Sequence, residues 1–348
     1  MTEPGHDTQA LVTGGGGFLG RAIVAHLLVA GYRVRSFGRG DYPDLRRMGV
    51  TVLRGDLTDP LATRQACAGC AIVFHNAAKA AVWGDWDSFF RPNVVGTQNV
   101  LEACRREGVG RLVYTSTASV VFGNGDIEGG DESLPYPARP RSPYTATKAQ
   151  AERLVLAASS PALKTLSLRP HLIWGPQDTQ IIPRIIAQAR SGKVRRIGNG
   201  KNRVSVTYID NAALAHLQAA DALAANPRAS GRAYFIANSE PVYLWELIDR
   251  ILELAEIPPI TRSIPRSTAI ALGVALETLQ RMLHLPGEPR LTRLLAEELS
   301  TSHWFDISAA RRELGYEPVV STEEGLRRLG LALDRTPASA LPKRSGSL

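Results

Sequence analysis

The sequence predicts an α/β protein: a doubly wound parallel sheet followed by a smaller, mostly helical C-terminal part. Three observations predict it. Short apolar runs alternate with amphipathic stretches through the first half of the 348-residue chain. The connections between them are short, as in parallel strands joined by crossover helices. After about residue 175 the alternation gives way to longer helical stretches.

The elements follow in order. Ala10-Leu11-Val12 reads as a buried strand, and Arg21 to Ala30 as a helix with Ile23, Leu27 and Ala30 on one face and Gly31 as its stop. Strands are expected at Val34 to Phe37, Thr51 to Leu53 and Ile72 to His75, a helix over Asn93 to Glu107, and a fifth strand at Arg111 to Thr115. A long helix, Tyr144 to Ala158, precedes the strand Thr165 to Leu168, which Pro170 closes. Further on, helices are expected at Ile181 to Arg190, Asn211 to Ala224, Leu244 to Ala255 and Ser267 to Leu285, with strands at Val204 to Tyr208 and Ala233 to Ile236.

Composition sets limits. Hydrophobic residues are 44% and charged residues 21%, an ordinary globular balance. No apolar run approaches the ~20 residues of a membrane span, and the polar start, Met1 to Gln9, has no signal-peptide core. Cys67, Cys70 and Cys104 give one C-x-x-C without a second pair, so no metal site is expected and a reducing cytoplasm fits. The net charge is +8, and only six of the 41 basic residues are lysine. Such a surplus of arginine is mostly compositional background. It attracts small anions, and no nucleic-acid motif accompanies it.

Thr13 to Gly20 reads Thr-Gly-Gly-Gly-Gly-Phe-Leu-Gly and joins the first strand to the first helix. Gly14, Gly17 and Gly20 give the spacing G-x-x-G-x-x-G, which allows a tight turn and a close approach of backbone N–H groups to a pyrophosphate. The helix N-terminus adds partial positive charge there. A dinucleotide is therefore expected, with Phe18 and Leu19 completing the loop. An NAD site carries an acidic residue after the second strand. Here Gly38 takes that place and Arg39 follows, with Arg35 nearby, so NADP(H) is expected with Arg39 at the 2′-phosphate. Asp56 and Leu57 end the third strand, where the carboxylate can accept from the adenine amino group and Leu57 can lie against the ring.

Tyr144 and Lys148 stand four apart on a predicted helix, one turn apart on the same face. A nearby ammonium favours the phenolate and brings the tyrosine toward acid/base work at a carbonyl oxygen. The Tyr114-Thr115-Ser116-Thr117 segment after the fifth strand offers a hydroxyl beside it.

With these motifs the chain resembles an extended short-chain dehydrogenase/reductase of the 3β-hydroxysteroid dehydrogenase/isomerase family. The resemblance also rests on His75-Asn76-Ala77-Ala78, Asn93-Val94-Val95-Gly96-Thr97, Leu168-Arg169-Pro170 and Tyr208-Ile209-Asp210-Asn211-Ala212, and spans roughly residues 10 to 330. It implies Thr117 as the catalytic hydroxyl, with Ser116 as the neighbouring alternative, Tyr144 as the acid/base and Lys148 at the nicotinamide ribose. Ala77 and Pro170 join the implied cofactor set. The implied division is a flexible N-terminus (1–9), an NADP-binding Rossmann core (10–175), a substrate-binding part (176–335) with segments returning to the core, and a disordered tail (336–348).

His75 to Ala80, Trp83-Gly84, Pro170 to Pro176 and Leu291-Thr292-Arg293 are similar to the branch of the family that reduces 2-alkyl-3-oxoalkanoates in bacterial long-chain olefin biosynthesis. That likeness implies a hydrophobic β-keto acid substrate, reduced to the 3-hydroxy acid, and other enzymes of the pathway as partners. It also implies a homodimer through the helices at 93–107 and 144–158. The alternatives are a sterol or 3β-hydroxysteroid dehydrogenase, a nucleotide-sugar epimerase, which the Gly38-Arg39 pair disfavours, and a non-catalytic NADP-sensing scaffold. Ser267 to Leu285 reads as a core helix, a lid over an apolar substrate, or a peripheral membrane or partner contact. Arg281, Arg290, Arg293 and Lys79 are the candidates to meet a substrate carboxylate.

Overall fold

The computed structural model describes residues 8–334 except 124, 193 and 286. The disordered tail expected from residue 336 lies outside the described residues, as does most of the expected flexible N-terminus. The first strand, β1 (Gln9–Thr13), buries Ala10, Leu11 and Val12 completely, because helices cover both faces of the sheet. α1 (Phe18–Val29) begins three residues earlier than its periodicity suggests, since Gly17 already serves as its extended N-cap. There follow β2 (Arg33–Gly38), α2 (Pro43–Arg47), β3 (Thr51–Arg54), α3 (Pro60–Cys67) and β4 (Ile72–His75). The sequence reading has no helix at α3; its signal is Asp59-Pro60, where the Asp59 carboxylate accepts from the Leu61 and Ala62 amides at 2.9 and 3.1 Å.

The helix expected over Asn93–Glu107 is two pieces, the end of a π-helical turn over Arg91–Val95 and α5 (Gly96–Arg106), and α4 (Trp86–Phe90), which was not expected, runs directly into the π turn. Pro92 has no N–H to donate and its ring crowds the preceding turn, so the backbone widens there. Then come β5 (Arg111–Thr115), β6 (Ile127–Gly130), α6 (Pro143–Ala157), β7 (Lys164–Pro170), β8 (Ile173–Trp174), α7 (Ile181–Arg190), β9 (Arg196–Ile197), β10 (Arg203–Val204) and β11 (Thr207–Tyr208). The chain finishes with α8 (Ile209–Ala225), β12 (Arg232–Ile236), β13 (Val242–Tyr243), α9 (Leu244–Leu254), β14 (Ser263–Ile264), α10 (Arg266–Met282), α11 (Arg293–Glu298), β15 (His303–Phe305), α12 (Ser308–Leu314) and α13 (Thr322–Asp334).

The main sheet has the order β12-β7-β5-β4-β1-β2-β3 with every neighbouring pair parallel. Alternate residues feed two cores. Ala10 and Val12 join α1 and α8 on one face, while Leu11 and Val73 join Val100, Leu101 and Val155 from α5 and α6 on the other. The strand order reverses at β1, between β2 and β4, and the crevice beyond the carboxyl ends of these strands is where a doubly wound sheet takes its ligand.

Two expectations are corrected in the second half. Val204–Tyr208 is not one strand: Val204 lies beside Val242 and His303, whereas Thr207 and Tyr208 lie beside Ile173 and Trp174. The segment crosses between two small sheets, which a local apolar pattern does not record. Pro170 does not stop its strand from outside; it is the last residue of β7, beside Ile236. β12 returns to the main sheet, and its Phe235 stacks on Phe305 with ring centroids 4.2 Å apart.

Candidate active site

Gly14 adopts φ +69°, a conformation that suits glycine, and a side chain on it would come within 2.9 Å of the Ala77 Cα. A Cβ on Gly20 would stand 2.1 Å from the Gly14 carbonyl oxygen, so the first turn of α1 closes directly on the loop. At Gly17 the only atom within 4 Å of an added Cβ is that same carbonyl oxygen. The loop thus presents backbone at the start of a helix, with open space above Gly17, and this fits a pyrophosphate.

A buried chain of hydrogen bonds locks Ala77 against the loop. The Thr97 hydroxyl donates to the Asn93 carbonyl at 2.6 Å, so the His75 Nε2–H donates to Thr97 at 2.9 Å and His75 Nδ1 accepts from Thr13 at 2.8 Å. Thr13 in turn accepts the Ala77 amide at 3.1 Å. Burial pushes the His75 imidazole down to about 3, so it is neutral as this arrangement needs.

Around the adenine-side crevice, Gly38 leaves room: an added Cβ would meet only Tyr42, at 4.0 Å. Arg39 is exposed beside it, and its side chain has no hydrogen-bond partner among the described residues. Asp56 lies below the usual carboxylate range, held by the Thr58 amide and hydroxyl, with Arg39 and Arg91 nearby. Leu57 is buried behind it. Arg35 is corrected: its guanidinium points away and caps the end of α3, donating to Ala66 and Ala68 carbonyls at 2.7 and 2.8 Å.

Tyr144 and Lys148 occupy α6, whose start is fixed by Pro143 and a reciprocal cap. The Ser142 hydroxyl accepts from the Thr145 amide and the Thr145 hydroxyl accepts from the Ser142 amide, both at 3.2 Å. Lys148 is buried. Its Nζ donates to the Thr115 carbonyl at 2.6 Å and lies 4.2 Å from the centre of the Tyr114 ring. Burial brings its ammonium down to about 7, with Glu152 pulling the other way. Tyr144 is pushed up to about 12 by burial, against which a hydrogen bond with Thr117 acts. The Thr117 hydroxyl also pairs with Ser119 at 3.0 Å, whereas the buried Ser116 hydroxyl has no hydrogen-bond partner among the described residues.

Sequence reasoning singled out Asn93 but missed Glu152, and both hold this helix. Glu152, one further turn along the same face, is completely buried and takes hydrogen bonds from Arg169 Nη2 (2.8 Å), Ser167 (2.7 Å) and Tyr136 (2.7 Å). The fourfold spacing Tyr144-Lys148-Glu152 was the available signal. Asn93, set in the π turn, donates to Thr147 at 3.0 Å and accepts the Lys79 amide at 2.8 Å, joining the segment after β4 to α6.

Several carboxylate candidates are already engaged. Arg293 pairs with Glu297 at 3.1 Å, Arg281 lies 5.1 Å over the Trp83 ring, and Lys79 donates to Ser88 at 2.6 Å. Arg290 is exposed. The core reading of 267–285 is corrected too. Only Ala269 and Gly273 of α10 are buried, and Leu272, Leu279 and Met282 face outward. No helix among the described residues is long and apolar enough to cross a membrane.

The fold and the cradle define a dinucleotide-binding α/β oxidoreductase of the extended short-chain dehydrogenase/reductase type. Residues 11–265 match the 3-beta hydroxysteroid dehydrogenase/isomerase family, and the chain belongs to it. It is 51% identical over 323 residues to a 2-alkyl-3-oxoalkanoate reductase of Stenotrophomonas maltophilia, covering 92% of this chain and 98% of that one. It is 36% identical to the mouse (Mus musculus) sterol-4-alpha-carboxylate 3-dehydrogenase, decarboxylating, covering 92% of this chain and 89% of the relative. Among solved structures, MoeE5 in complex with UDP-glucuronic acid and NAD superposes with a TM-score of 0.70 at 26% identity, covering 94% and 99% of the two chains.

Proposed function

We propose that this chain is an NADPH-preferring ketoreductase that converts the 3-oxo group of a long-chain 2-alkyl-3-oxoalkanoic acid to the 3-hydroxy group, a step of hydrocarbon biosynthesis. The observation that carries it is the convergence of Thr117, Tyr144 and Lys148 at the carboxyl edge of the sheet that also carries the glycine cradle. The relatives' names support the substrate class. A 3-oxo acid and a sterol 4-carboxylate oxidised at C3 both carry the carboxyl group on the carbon next to the reacting one. The open Gly38 and the unpaired Arg39 support the 2′-phosphate.

In this reading Gly14, Gly17, Phe18, Leu19 and Gly20 hold the pyrophosphate, Asp56 and Leu57 the adenine, Arg39 the 2′-phosphate, and Ala77, Lys148 and Pro170 the nicotinamide half. Reduced nicotinamide, when bound, supplies the hydride. Thr117 donates a hydrogen bond to the ketone oxygen. Tyr144 gives that oxygen its proton as the carbon is reduced, and the Lys148 ammonium stabilises the phenolate left behind. Two copies joined through α5 and α6 form the expected assembly.

The test compares NADPH and NADH oxidation with a 2-alkyl-3-oxo acid and a 3-ketosteroid side by side. NADPH-coupled turnover of the acid is the expected result. Turnover of the ketosteroid alone moves the substrate to sterols. A protein that binds cofactor and reduces neither is a scaffold.

A further inference from the structure

Lys79 stands in the segment that leaves the carboxyl end of β4, two residues after Ala77, whose amide donates to Thr13 beside the glycine cradle. Two independent sets of contacts hold it against the helix that carries Tyr144. The first is a backbone clamp. The Lys79 amide donates to the Asn93 side-chain oxygen at 2.8 Å, and the Asn93 side-chain nitrogen donates to the Lys79 carbonyl at 3.2 Å and to the Thr147 hydroxyl at 3.0 Å. The second is made by the side chain. Lys79 Nζ lies 4.6 Å from the centre of the Phe89 ring, and Phe89 packs on Tyr144 with ring centroids 6.4 Å apart, tilted by 54°. Phe89 thus touches both the ammonium and the acid/base ring.

The seat of this ammonium is shaped by a glycine. Gly84 adopts φ +151°, and a Cβ on it would stand 2.9 Å from Lys79 Nζ, 2.9 Å from the Phe89 ring and 3.0 Å from the Ser88 hydroxyl. A side chain at this position would crowd the ammonium out. The Ser88 hydroxyl accepts from Nζ at 2.6 Å and itself donates to the Asp85 carbonyl at 2.8 Å. That bond takes one of the three N–H donors and leaves the charge uncompensated. Among the described residues no carboxylate forms an ion pair with Lys79. Asp85, the acid at this corner, is exposed, and its carboxylate accepts the Ser88 amide at 2.9 Å. Arg281 reaches the same segment only over the Trp83 ring, and Arg293 is neutralised by Glu297. A half-buried ammonium, fixed by a ring, a hydroxyl and a glycine but matched by no carboxylate, is a seat for an anion.

We propose that the Lys79 ammonium binds the substrate carboxylate and so selects β-keto acids over ketones without an acid group. The inference rests on the β-keto acid reading above and gives it a specificity-determining residue. In a 3-oxo acid only one carbon separates the ketone from the carboxylate. When the ketone oxygen meets Tyr144, the carboxylate therefore lies beside the residues that pack on that tyrosine. Phe89 is one of these, and the ammonium stands over it.

The experiment runs the intact enzyme in the oxidative direction with NADP⁺, on a 2-alkyl-3-hydroxy acid and on its methyl ester. Wild type is expected to prefer the acid. Lys79→Gln keeps a donor for Ser88 but removes the charge, and is expected to lower the acid-to-ester ratio of kcat/KM about 10- to 100-fold. Lys79→Arg is expected to recover part of the ratio, and Gly84→Ala to lower it by displacing Nζ. Cofactor binding followed by fluorescence reports that each variant is folded. A lysine that merely holds its segment in place would lower acid and ester turnover together, and an unchanged ratio in Lys79→Gln overturns the site. So does a wild type without acid preference, or a ratio that moves with Arg281→Gln and not with Lys79→Gln; each of these leaves the ketoreductase reading intact. Oxidation of a 3β-hydroxysteroid with neither hydroxy compound turned over overturns the substrate reading and this site with it.

Discussion

The Lys148 Nζ donates a 2.6 Å hydrogen bond to the Thr115 carbonyl oxygen, tying α6 to the end of β5 inside the protein. That bond places the ammonium one helical turn from Tyr144 and under the Tyr114 ring.

Lys148→Met tests what the lysine is for. Burial lowers the folded-state value to about 7 from 10.5. Between those values the unfolded chain binds more protons, so the lysine's contribution to stability improves as pH rises from about 7 toward 10.5, and at pH 7 it is least favourable. The methionine variant should therefore melt at pH 7 no lower than wild type while kcat/KM falls about 10²–10⁴-fold. A melting temperature that drops along with activity would show a merely structural lysine.

Tyr144 gives a directional pH signature. With the phenol at about 12 in the free protein, the proton-donating form prevails throughout the neutral range. Ketone reduction should show little pH dependence from this group between about pH 6 and 9, whereas alcohol oxidation, which needs phenolate, should accelerate as pH rises. Tyr144→Phe should cost about 10²–10⁴-fold in both directions. Full NADPH-coupled turnover in that variant would sink the mechanism.

Arg39→Asp should exchange cofactor preference. The carboxylate repels a 2′-phosphate and can bind the free ribose hydroxyls, so the NADPH-to-NADH ratio of kcat/KM should fall by about 10- to 100-fold. Because Arg39 is exposed, stability should change by less than about 0.5 kcal/mol. A ratio that moves less than twofold assigns the 2′-phosphate elsewhere.

Glu152 and Arg169 form a buried pair, and removing one partner strands the other. Arg169→Met should destabilise the fold by roughly 3–5 kcal/mol, measured by urea unfolding. Burial pushes the Glu152 carboxyl up, but Arg169, Ser167 and Tyr136 outweigh it and the net shift is downward. Its contribution is therefore present above the ordinary carboxylate range and lost as pH falls through the depressed value. Unchanged stability in Arg169→Met would mean that the pair is neutral to the fold.

The parallel sheet, the glycine cradle and the Tyr144–Lys148 spacing were legible in the chain because each depends on residues near in sequence. A buried strand needs a run such as Ala10-Leu11-Val12, a tight loop needs Gly14, and one helical turn needs a spacing of four. The π turn at Arg91–Val95 was not legible, since Pro92 can end, kink or widen a helix and only packing against α6 chooses among these. Nor was the division of Val204–Tyr208 between two sheets, which depends on Ile173, Val242 and His303 arriving from elsewhere.

What the sequence determined by itself is the fold class, the family and the Tyr144–Lys148 spacing on one helix. Only the tertiary structure decided which of many arginines remain free. Arg35 caps α3, Arg169 neutralises Glu152, and Arg141 and Arg293 both bind Glu297, while the Arg39 guanidinium has no hydrogen-bond partner among the described residues. The reason is physical: an arginine's side chain is long, and whether its charge is available to a ligand depends on which carboxylates and carbonyls the fold brings within hydrogen-bonding reach.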